Sequence, residues 1–498
     1  MKILKFLCLL LLFLEKVDII RYVCDYSNYI LEMNTAMTKA ERFFGEIKNK
    51  RIAFIGFGVT NNDTVKMFLK KGLDVTVCDR KSKEEAGTIA QELESAGAKL
   101  ALGESYLKEA CRCDIIFRAP GVYYNIPELA EARKKGVTVT SEMEVFFDLC
   151  PCKIYAITGT DGKTTTTTIV SEILSRSGRK VHKGGNIGRA LLPIVEEIDE
   201  NDAAVVELSS FQLISMRRSP DCALITNIYP DHLNVHSSME EYIGAKTNIL
   251  AHQNAFSRAV LNMDNEDTDK LSGIVRGDLY KFSRLGKPER GTFLDEDGWL
   301  CFTGNGVYER IVHKDDIKIP GMHNVENYLA AIALLHGEVP SQAIAQTARE
   351  FGGVEHRIEF VRELDGVKFY NDSIATSPVS VIAGLNSFGR RIIVIAGGSD
   401  KKLDYNQLAE PINNYVKTLV LLGQTADKIE AAVRAYRNYN ENDCRIIRVK
   451  TMEEAVRAAK DSAAAGDVVT LSPASASFDM YKNFEERGRH YKSIVNAL

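Results

Sequence analysis

The sequence predicts an α/β protein of three domains, each built around a mostly parallel sheet. Three observations predict this class: strand-like apolar segments alternate with helical ones, a glycine-rich turn follows the first strand, and a later strand runs into the loop GTDGKT. With 498 residues, the chain is also too long for one ordinary hydrophobic core. We predict a Rossmann-like N-terminal domain at 48–152, a central P-loop ATPase-type parallel sheet at 153–355 and a Rossmann-like C-terminal domain at 356–498.

The composition is ordinary for a globular protein, with 45% hydrophobic and 26% charged residues. A net charge of -4 argues against a nucleic-acid binder that works through a broad basic surface. Among the 10 cysteines, the pairs Cys111/Cys113 and Cys150/Cys152 have one-residue spacers, which suit neither a redox motif nor a usual zinc site. We therefore expect buried, reduced cysteines, in agreement with a cytoplasmic protein.

The N-terminal segment raises the question of targeting. An apolar run at 6–14 has the length of a signal-peptide core, but no small-residue cleavage site follows, and the run is too short to span a bilayer. The interpretation that we favour is that the functional protein starts at Met33 or Met37. Residues 1–47 are thus predicted to be an extension outside the fold, and no other segment is expected to cross a membrane.

The first domain opens with the strand RIAFI and the turn GFG at 56–58, and Asp79 ends the next strand. In a dinucleotide site, such glycines bring backbone amides close to a pyrophosphate and the acid binds a ribose. The third glycine of that pattern is missing, because Asn61 and Asn62 stand in its place. A nicotinamide cofactor is therefore not favoured, whereas a plain tight turn and a site for another nucleotide headgroup both stay open.

The loop at 159–164 carries the strongest signal in the sequence. Gly159 and Gly162 would let backbone N–H groups face phosphate oxygens, and the helix that starts near Lys163 points its positive end at them. Lys163 would reach the β and γ phosphates, and the Thr164 hydroxyl would bind Mg²⁺. The glycines are closer together than in the full P-loop pattern. Their position between an apolar strand and a helix nevertheless predicts a phosphate site.

Further polar residues follow later strands of this domain. Glu207 ends the strand AAVVEL, where Mg²⁺ would need a second ligand, and a helix N-cap acid is the equal alternative. Asp231 and His232 follow another strand, so His232 is either an exposed side chain or a metal or phosphate ligand. Lys246 lies in the helical segment EYIGAKTNIL, where the pattern alone indicates a solvated surface lysine.

The third domain has four candidate buried strands, KFYND, RIIVIAGG, TLVLLG and VVTLS. Polar loops at 371–376, 397–401 and 472–477 follow three of them. Because the carboxyl ends of parallel strands meet at one edge of a sheet, these loops should share one face. A ligand-binding face is therefore favoured over three unrelated connections.

Several motifs, taken together and in this order, resemble the Mur ligases of peptidoglycan synthesis. They are TGTDGKTTTT, GGNIG, ELSSFQL, NIYPDHL, GMHNVENYLAA, EHRIEF, NDSIATSP and SPASASFDMYKNFEERG. The resemblance covers residues 48–498. The tail at 472–488 and the loop GGSDKKLDY at 397–405 are most similar to the members that add D-glutamate.

The resemblance implies an ATP-dependent ligase that acts as a cytoplasmic monomer in cell wall biogenesis, cell shape and cell division. ATP would phosphorylate the carboxylate of UDP-N-acetylmuramoyl-L-alanine, and the amine of D-glutamate would attack the acyl phosphate to form an amide. Neither nucleic acid nor stable membrane association is implied. Lys163 and Mg²⁺ would neutralise charge on the transferred phosphoryl group. Lys246 would carry CO₂ as a carbamate, which makes it a metal ligand instead of a surface lysine.

The resemblance also implies roles for individual positions. The catalytic residues would be Lys163, Glu207, His232 and Lys246. The Mg²⁺ ligands would be Thr164, Glu207, His232 and Lys246. ATP would contact Gly159, Thr160, Asp161, Gly162, Lys163, Thr164, Thr165, Asn324, Arg357 and Asp372. The UDP-substrate would contact Gly58, Asp79, Arg80, Asn186 and Ser209, and D-glutamate would contact Thr376, Lys401, Ser477 and Phe484.

Three positions depart from the family pattern. Ile374 stands where many relatives carry lysine, Ala119 replaces a serine of the UDP pocket, and Asp161 stands where asparagine is frequent. None of them removes a catalytic group, so they bear on affinity more than on reaction type. Two alternatives remain. The tail at 472–488 argues against another Mur or folylpolyglutamate-type ligase, and the retained catalytic residues argue against a non-catalytic nucleotide-binding relative.

Overall fold

The computed structural model describes residues 37–57, 59–233 and 235–498. The predicted start at Met33, the apolar run at 6–14 and the predicted UDP contact Gly58 lie outside the described residues. Among the residues that are described, no helix is long and apolar enough to cross a membrane.

The chain forms two compact units. Among the described residues, the first comprises those up to 152 together with 189–200 and 215–218, and the second comprises the others. The first unit contains one sheet and the second contains two, and most neighbouring strands in all three are parallel. These three sheets, flanked by helices, confirm the predicted α/β fold class.

The sheet of the first unit is fully parallel. Its strands are β1 (Arg51–Ile55), β2 (Asp74–Asp79), β3 (Lys99–Leu102), β4 (Ile115–Arg118) and β5 (Thr138–Thr140), in the order β3-β2-β1-β4-β5. The helices are α1 (Lys39–Glu46), α2 (Val59–Lys70), α3 (Lys83–Ser95), α4 (Tyr106–Ala110), α5 (Pro127–Lys134) and α6 (Glu142–Leu149), with a 3-10 helix at Leu192–Glu197. One layer of the core is aromatic. Phe54 stacks on Phe117 with 4.6 Å between ring centroids, and Phe68 meets both rings edge-on.

Helix α1 lies in the segment that the sequence predicts to be outside the fold. The Thr38 hydroxyl caps its first turn. Phe44 is buried, and its ring meets Phe68 of α2 edge-on with 5.6 Å between centroids. Because burial of such a ring stabilises the folded chain, this helix is part of the first unit. The prediction for 1–47 is therefore wrong for 38–47.

The larger sheet of the second unit has nine strands. They are β6 (Lys153–Thr158), β7 (Val181–Gly185), β8 (Ala203–Glu207), β9 (Cys222–Ile225), β10 (Arg258–Asn262), β11 (Asp278–Ser283), β12 (Gly291–Leu294), β13 (Trp299–Gly304) and β14 (Val307–His313), in the order β14-β13-β12-β11-β10-β9-β6-β8-β7. The helices are α7 (Lys163–Arg176), α8 (Ser210–Leu213), α9 (Met239–Ala251), α10 (Glu266–Lys270), α11 (Met322–Leu335) and α12 (Ser341–Glu350), with 3-10 helices at Leu271–Ile274 and Lys314–Asp316. Strands β12 to β14 run antiparallel at one edge. Helix α11 is buried along most of its length, because its apolar residues fill the core beside this sheet.

The smaller sheet of the second unit has six strands. They are β15 (Glu359–Leu364), β16 (Val367–Asn371), β17 (Ile392–Ala396), β18 (Val416–Leu421), β19 (Arg445–Arg448) and β20 (Val468–Leu471), in the order β15-β16-β20-β17-β18-β19. The helices are α13 (Pro378–Phe388), α14 (Ala409–Tyr415), α15 (Ala426–Arg434), α16 (Met452–Asp461) and α17 (Phe484–Ala497), with a 3-10 helix at Asn406–Leu408. Only β15 is antiparallel to its neighbour. Strands β16, β20 and β17 are adjacent, so their carboxyl ends meet at one edge.

Candidate active site

The phosphate loop connects β6 to α7, and two glycines shape it. Gly159 has φ 150° and Gly162 has φ 77°, both of which residues with a side chain disfavour. A Cβ atom on Gly159 would lie 1.9 Å from Thr226 Oγ1, and one on Gly162 would lie 2.5 Å from Asn327 Oδ1. Both positions therefore require glycine for space as well as for conformation.

The residues that follow β9 hold the backbone of this loop. The N–H of Thr160 donates to Asn227 O at 2.9 Å, and the N–H of Asp161 donates to Asn227 Oδ1 at 2.9 Å. The Thr226 hydroxyl donates to Asp161 O at 2.6 Å. These hydrogen bonds with Thr226 and Asn227 fix the path of the loop backbone, while the Asp161 side chain is exposed. The motifs assigned no role to Thr226 or Asn227, although polar residues directly after an apolar strand are a usable signal.

Lys163 opens α7, and its amine donates to Thr160 O at 2.7 Å. Burial lowers the pKa of this amine, while the negative charges of Glu207 and Asp161 oppose that shift. Thr165 lies in the same first helical turn, whose N–H groups have no partner within the helix. A cation beside a helix N-terminus is an arrangement that attracts phosphate.

Glu207 ends β8 and is only 1% exposed. Its Oε2 accepts the Thr164 hydroxyl at 2.7 Å, and its Oε1 accepts the Asn186 amide at 2.9 Å. The alternative role as a helix N-cap is wrong, because Ser209 caps α8 by accepting the N–H of Gln212. A buried carboxylate against the threonine of the phosphate loop is instead a source of oxygen ligands for a hard cation.

Lys246 lies on α9 and is only 2% exposed, so the alternative of a solvated surface lysine is wrong. Its amine donates to Gly159 O at 2.7 Å and lies 4.7 Å from the centroid of the Tyr242 ring. The Tyr242 hydroxyl in turn lies 3.0 Å from Thr160 Oγ1. Burial, and after it the charge of Lys163, lower the pKa of Lys246 to about 7. Near neutral pH, much of this amine is therefore uncharged.

His232 is more exposed than the other predicted catalytic residues. Its backbone N–H donates to Asp231 Oδ1 at 2.8 Å, and its ring Nε2 lies 3.4 Å from Asp231 Oδ2. Its ring centroid is 5.1 Å from that of Phe211. Within 37–57, 59–233 and 235–498, no three or more His, Cys, Asp or Glu residues are grouped as metal ligands. The structure thus joins Thr164 to Glu207 but leaves His232 paired with Asp231.

Asn324 lies in the first turn of α11, a short distance from the phosphate loop. Its Nδ2 donates to Pro320 O at 2.6 Å, and its Oδ1 accepts from Asn327 Nδ2 at 3.1 Å. Asn327 Oδ1 accepts the Thr166 hydroxyl of α7 at 3.1 Å. This chain of amides connects the predicted ATP contact Asn324 to the helix that carries the loop. The sequence motifs assigned no role to Asn327, although it stands three residues from Asn324 on the same helical face.

Asp372 follows β16 and is buried. Its Oδ2 accepts the Ser472 hydroxyl at 2.8 Å, and its Oδ1 accepts the Ile358 N–H at 3.2 Å. Burial raises the pKa of Asp372 to about 7, against the opposing charge of Arg357. The Arg357 side chain is exposed, and its charge also lowers the pKa of Lys163. The two predicted ATP contacts of the six-stranded sheet therefore lie within electrostatic range of each other, and Arg357 lies within range of the phosphate loop.

The polar loops after β16, β17 and β20 share one face, as predicted. Ser399 and Ala476 form a β-bridge between the second and third of these loops, and Thr425 N–H donates to Gly398 O at 3.0 Å. The predicted D-glutamate contacts in this region are the buried Ser477, the partly buried Thr376 and Phe484 and the exposed Lys401.

Arg487 is a buried residue of this face for which the motifs gave no role, although it lies in the quoted segment EERG. Its Nε donates to Ser373 Oγ at 3.0 Å and its Nη2 to Ser373 O at 2.9 Å. Its Nη1 donates to Ser475 O and Ala476 O, both at 3.0 Å. Burial lowers its pKa to about 10, so it stays a cation near neutral pH. One guanidinium thus joins the loop after β16 to the loop after β20.

In the first unit, Asp79 Oδ2 accepts the Phe57 N–H at 3.0 Å and Oδ1 accepts the Lys81 N–H at 2.9 Å. Asn61 is buried, and its amide donates to Ile55 O at 3.0 Å. A side-chain amide that satisfies the end of β1 thus occupies the position where a dinucleotide site has its third glycine. Because the Asn61 amide satisfies the carbonyl at the end of β1, the tight turn after β1 forms although the third glycine of the dinucleotide pattern is missing.

The other predicted UDP contacts are divided between the two units. Arg80 is an exposed residue of the first unit, whereas Asn186 and Ser209 belong to the second. Ala119 lies against the glycine turn, because a Cβ on Gly56 would be 3.0 Å from the Ala119 Cβ. A methyl group therefore packs there in place of the hydroxyl that the family pattern has.

Comparison with known proteins identifies the family. Family models match in order: Mur ligase MurD-like N-terminal domain at 50–141, Mur ligase middle domain at 157–335, and Mur ligase glutamate ligase domain at 356–475. The UDP-N-acetylmuramoylalanine–D-glutamate ligase of Acetivibrio thermocellus is 49% identical over 463 residues, which cover 93% of this chain and 99% of that protein. The chain belongs to the Mur ligase family. The enzyme of the same name from Ruminiclostridium cellulolyticum is 46% identical over 462 residues, with 92% and 99% covered.

Membership of the Mur ligase family confirms the predicted enzyme class, an ATP-dependent ligase that forms an amide bond. Mur ligases are ATP-dependent and use Mg²⁺. The structure of UDP-N-acetylmuramate-alanine ligase from Thermotoga maritima is 19% identical with a TM-score of 0.54, covering 90% of this chain and 100% of that chain. At this identity the likeness shows the fold alone, and it agrees with the three-domain Mur ligase fold.

Proposed function

We propose that this Mur ligase joins D-glutamate to UDP-N-acetylmuramoyl-L-alanine through an acyl phosphate, in the cytoplasmic synthesis of peptidoglycan precursors. Relatives that are 49% and 46% identical over nearly their whole length have this reaction in their names. The observation that carries the proposal is that Lys163, Glu207 and Lys246 converge on one phosphate loop. A fixed cation, a buried carboxylate able to hold Mg²⁺ and a buried amine beside such a loop suit phosphoryl transfer.

The reaction has two steps. The substrate carboxylate attacks the γ-phosphorus of ATP, ADP leaves, and an acyl phosphate forms. The amine of D-glutamate then attacks the acyl carbon, and the tetrahedral intermediate collapses to an amide and inorganic phosphate. Lys163 supplies a fixed cation for the transferred phosphoryl group, because its amine is already held over the loop by Thr160 O. Charge neutralisation and positioning are the main requirements of this chemistry.

Thr164 and Glu207 would hold one Mg²⁺, since their oxygens lie 2.7 Å apart and are ligands that a hard cation prefers. Bound there, the ion supplies positive charge to the phosphate oxygens. His232 and Lys246 would serve a second ion, and Lys246 would need a chemical change to do so because an ammonium cannot bind a cation. Addition of the neutral amine to CO₂ forms an N–C bond and releases one proton, and the carbamate oxygens become ligands. The pKa of about 7 supports this change.

The remaining contacts are those that the family resemblance implies, and the chemistry of the substrates agrees with them. D-glutamate has two carboxylates, which call for a cation and hydroxyl donors. By the resemblance, those groups would be Lys401, Thr376 and Ser477, and Phe484 would be a fourth contact. ATP is bound by the phosphate loop at 159–165 together with Asn324, Arg357 and Asp372. The UDP-substrate is bound by Gly58, Asp79, Arg80, Asn186 and Ser209.

One assay tests the proposal against its alternatives. The full chain is incubated with ATP, Mg²⁺, UDP-N-acetylmuramoyl-L-alanine and one amino acid at a time, and phosphate release and the amide product are measured. Release with D-glutamate and with no other amino acid supports the proposal. Release with a different amino acid would favour another Mur or folylpolyglutamate-type ligase. Nucleotide binding with no turnover for any amino acid would favour a non-catalytic relative.

A further inference from the structure

The turn that presents Arg357 has an unusual backbone. The residue before it, His356, has φ 65°, and the residue after it, Ile358, has φ 43°. Residues with a side chain avoid this region, and a β-branched residue such as isoleucine avoids it most. A conformation of this kind persists only where the surroundings determine it. The direction of Arg357 is therefore imposed by its neighbours.

Contacts on both sides fix this turn to the residues that follow β16. The Asn371 amide donates to His356 Nδ1 at 2.8 Å, and Asn371 Oδ1 accepts the Ser373 N–H at 3.2 Å. Because Nδ1 accepts, the neutral ring carries its proton on Nε2. On the other side, the Ile358 N–H donates to Asp372 Oδ1 at 3.2 Å. Each of the two left-handed residues thus has its own anchor in the same short segment.

Helix α17 packs against the His356 ring. A Cβ atom on Gly488 would lie 2.2 Å from His356 Nδ1, so the imidazole fills the space of a side chain on this helix. The Phe484 ring meets the imidazole edge-on with 5.9 Å between centroids. His356 itself is only 3% exposed. The ring is therefore enclosed by one helix and one loop.

We propose that His356, seated on Gly488, is a positioning residue that aims the Arg357 guanidinium at the phosphates of ATP. The inference rests on the proposed function and deepens it. His356 itself is enclosed and reaches no substrate, so it acts through the backbone that it shares with Arg357. Arg357 is exposed, and it is one of the positions that the family resemblance assigns to ATP. Aiming a fork-shaped cation matters because guanidinium–phosphate hydrogen bonds depend on direction.

A double-mutant cycle tests this inference. His356→Ala, Arg357→Ala and the double variant are compared for the KM of each substrate and for the Kd of ATP. We expect His356→Ala to raise the KM and the Kd of ATP about tenfold, the loss typical of one misaligned charged hydrogen bond. The KM of the UDP-substrate should stay unchanged, and that of D-glutamate should rise less than that of ATP, because the imidazole also meets the Phe484 ring. In the Arg357→Ala background, His356→Ala should add nothing, since the group through which it acts is gone.

Two further variants separate positioning from general stability. His356→Asn should restore most of the ATP affinity, because asparagine tolerates the left-handed backbone and keeps an acceptor. Gly488→Ala should mimic His356→Ala by displacing the ring, whereas Gly45→Ala, with no atom within 4 Å of the new Cβ, is the matched control. Equal changes in all three KM values, or full additivity with Arg357→Ala, would overturn the inference. If the wild-type chain does not ligate D-glutamate, the proposed function fails, but the ATP Kd still decides the role of His356.

Discussion

Two edges of the second unit are built in different ways. At the phosphate loop of the nine-stranded sheet, the residues that face phosphate are contiguous, and Thr226 and Asn227 hold their backbone. At the edge of the six-stranded sheet, three loops far apart in the chain meet, and the side chain of Arg487 holds two of them together. The first edge is therefore one contiguous loop held by the residues that follow a neighbouring strand, whereas the second is assembled from three separate loops that side-chain contacts join.

Each edge also buries one ionisable group whose pKa is moved to about 7, a lysine at the first and an aspartate at the second. Burial disfavours the charged form in both cases, which lowers the pKa of Lys246 and raises that of Asp372. The consequences differ. A neutral amine at Lys246 is a nucleophile, whereas Asp372 serves as the acceptor of two hydrogen bonds that hold neighbouring loops. Burial thus yields a neutral, reactive amine at Lys246 on one edge, whereas on the other edge the buried Asp372 connects neighbouring loops.

The largest effect should come from the phosphate loop. Lys163→Ala removes the cation over the loop, and we expect phosphate release to fall by about 1,000-fold or more. Binding of the UDP-substrate should be largely unchanged, as measured by calorimetry. Lys270→Ala, an exposed lysine of α10, is the matched control and should leave turnover unchanged. Loss of UDP-substrate binding together with turnover would show that the loop has a different role.

The second prediction concerns the buried amine. Activity of a preparation freed of CO₂ should rise about tenfold when bicarbonate is added, because each recovered metal ligand restores charge at the reacting phosphate. Lys246→Arg keeps a cation that cannot form a carbamate, so it should be about 100-fold less active and insensitive to bicarbonate. ¹³C-labelled bicarbonate should give a carbamate resonance in the wild-type chain and none in the variant. Equal activity with and without bicarbonate would contradict the carbamate.

The central strands of all three sheets could be predicted because they are buried on both faces and read as continuous apolar runs. Strands β8 and β17 are examples, with every residue buried. The edge strands β3 and β19 are short and only partly buried, so their sequences carry little signal. The sequence predicts an extension up to residue 47 because its nucleotide-type motifs begin only after residue 50. The eight residues of α1 carry no local signal of the partner that Phe44 finds on α2.

The site shows the same division. The phosphate loop could be predicted because its glycines, lysine and threonine are adjacent in the chain. Lys246 is buried because it packs against the phosphate loop, 87 residues away in the chain, and the local sequence of α9 does not predict this burial. The roles of Arg487 and His356 were hidden for the same reason, since their partners lie in loops that only the fold brings together.

A variant of Arg487 tests whether the second edge depends on one side chain. Arg487→Lys keeps the charge but cannot form the fork of hydrogen bonds to Ser373 and Ser475. We expect the KM of D-glutamate to rise about tenfold, because the loop that carries Ser477 loses its anchor. The KM of ATP should change less. Arg489→Lys, an exposed neighbour on α17, is the control. Equal effects of the two substitutions would mean that the loops keep their arrangement without the hydrogen bonds of Arg487.

The smallest effect should be one on stability, and it should come from the carboxyl of Asp372. Its pKa is raised from 3.8 to about 7 by burial, so the folded chain favours the protonated carboxyl. This contribution to stability is complete below the unfolded value and is lost as the pH rises through about 7. Asp372→Asn cannot titrate, and its amide can still accept the Ile358 N–H.

Denaturant unfolding of the full chain across this pH window checks the sign. The free energy of unfolding of the wild-type chain should fall by at most about 1.4 kcal/mol per pH unit more steeply than that of Asp372→Asn. Asp461→Asn, at an exposed position of α16, should follow the wild-type curve. Parallel curves for Asp372→Asn and the wild type would show that the carboxyl is already ionised in the folded chain. The second edge would then hold a buried charge, and the contrast with the neutral amine of Lys246 would disappear.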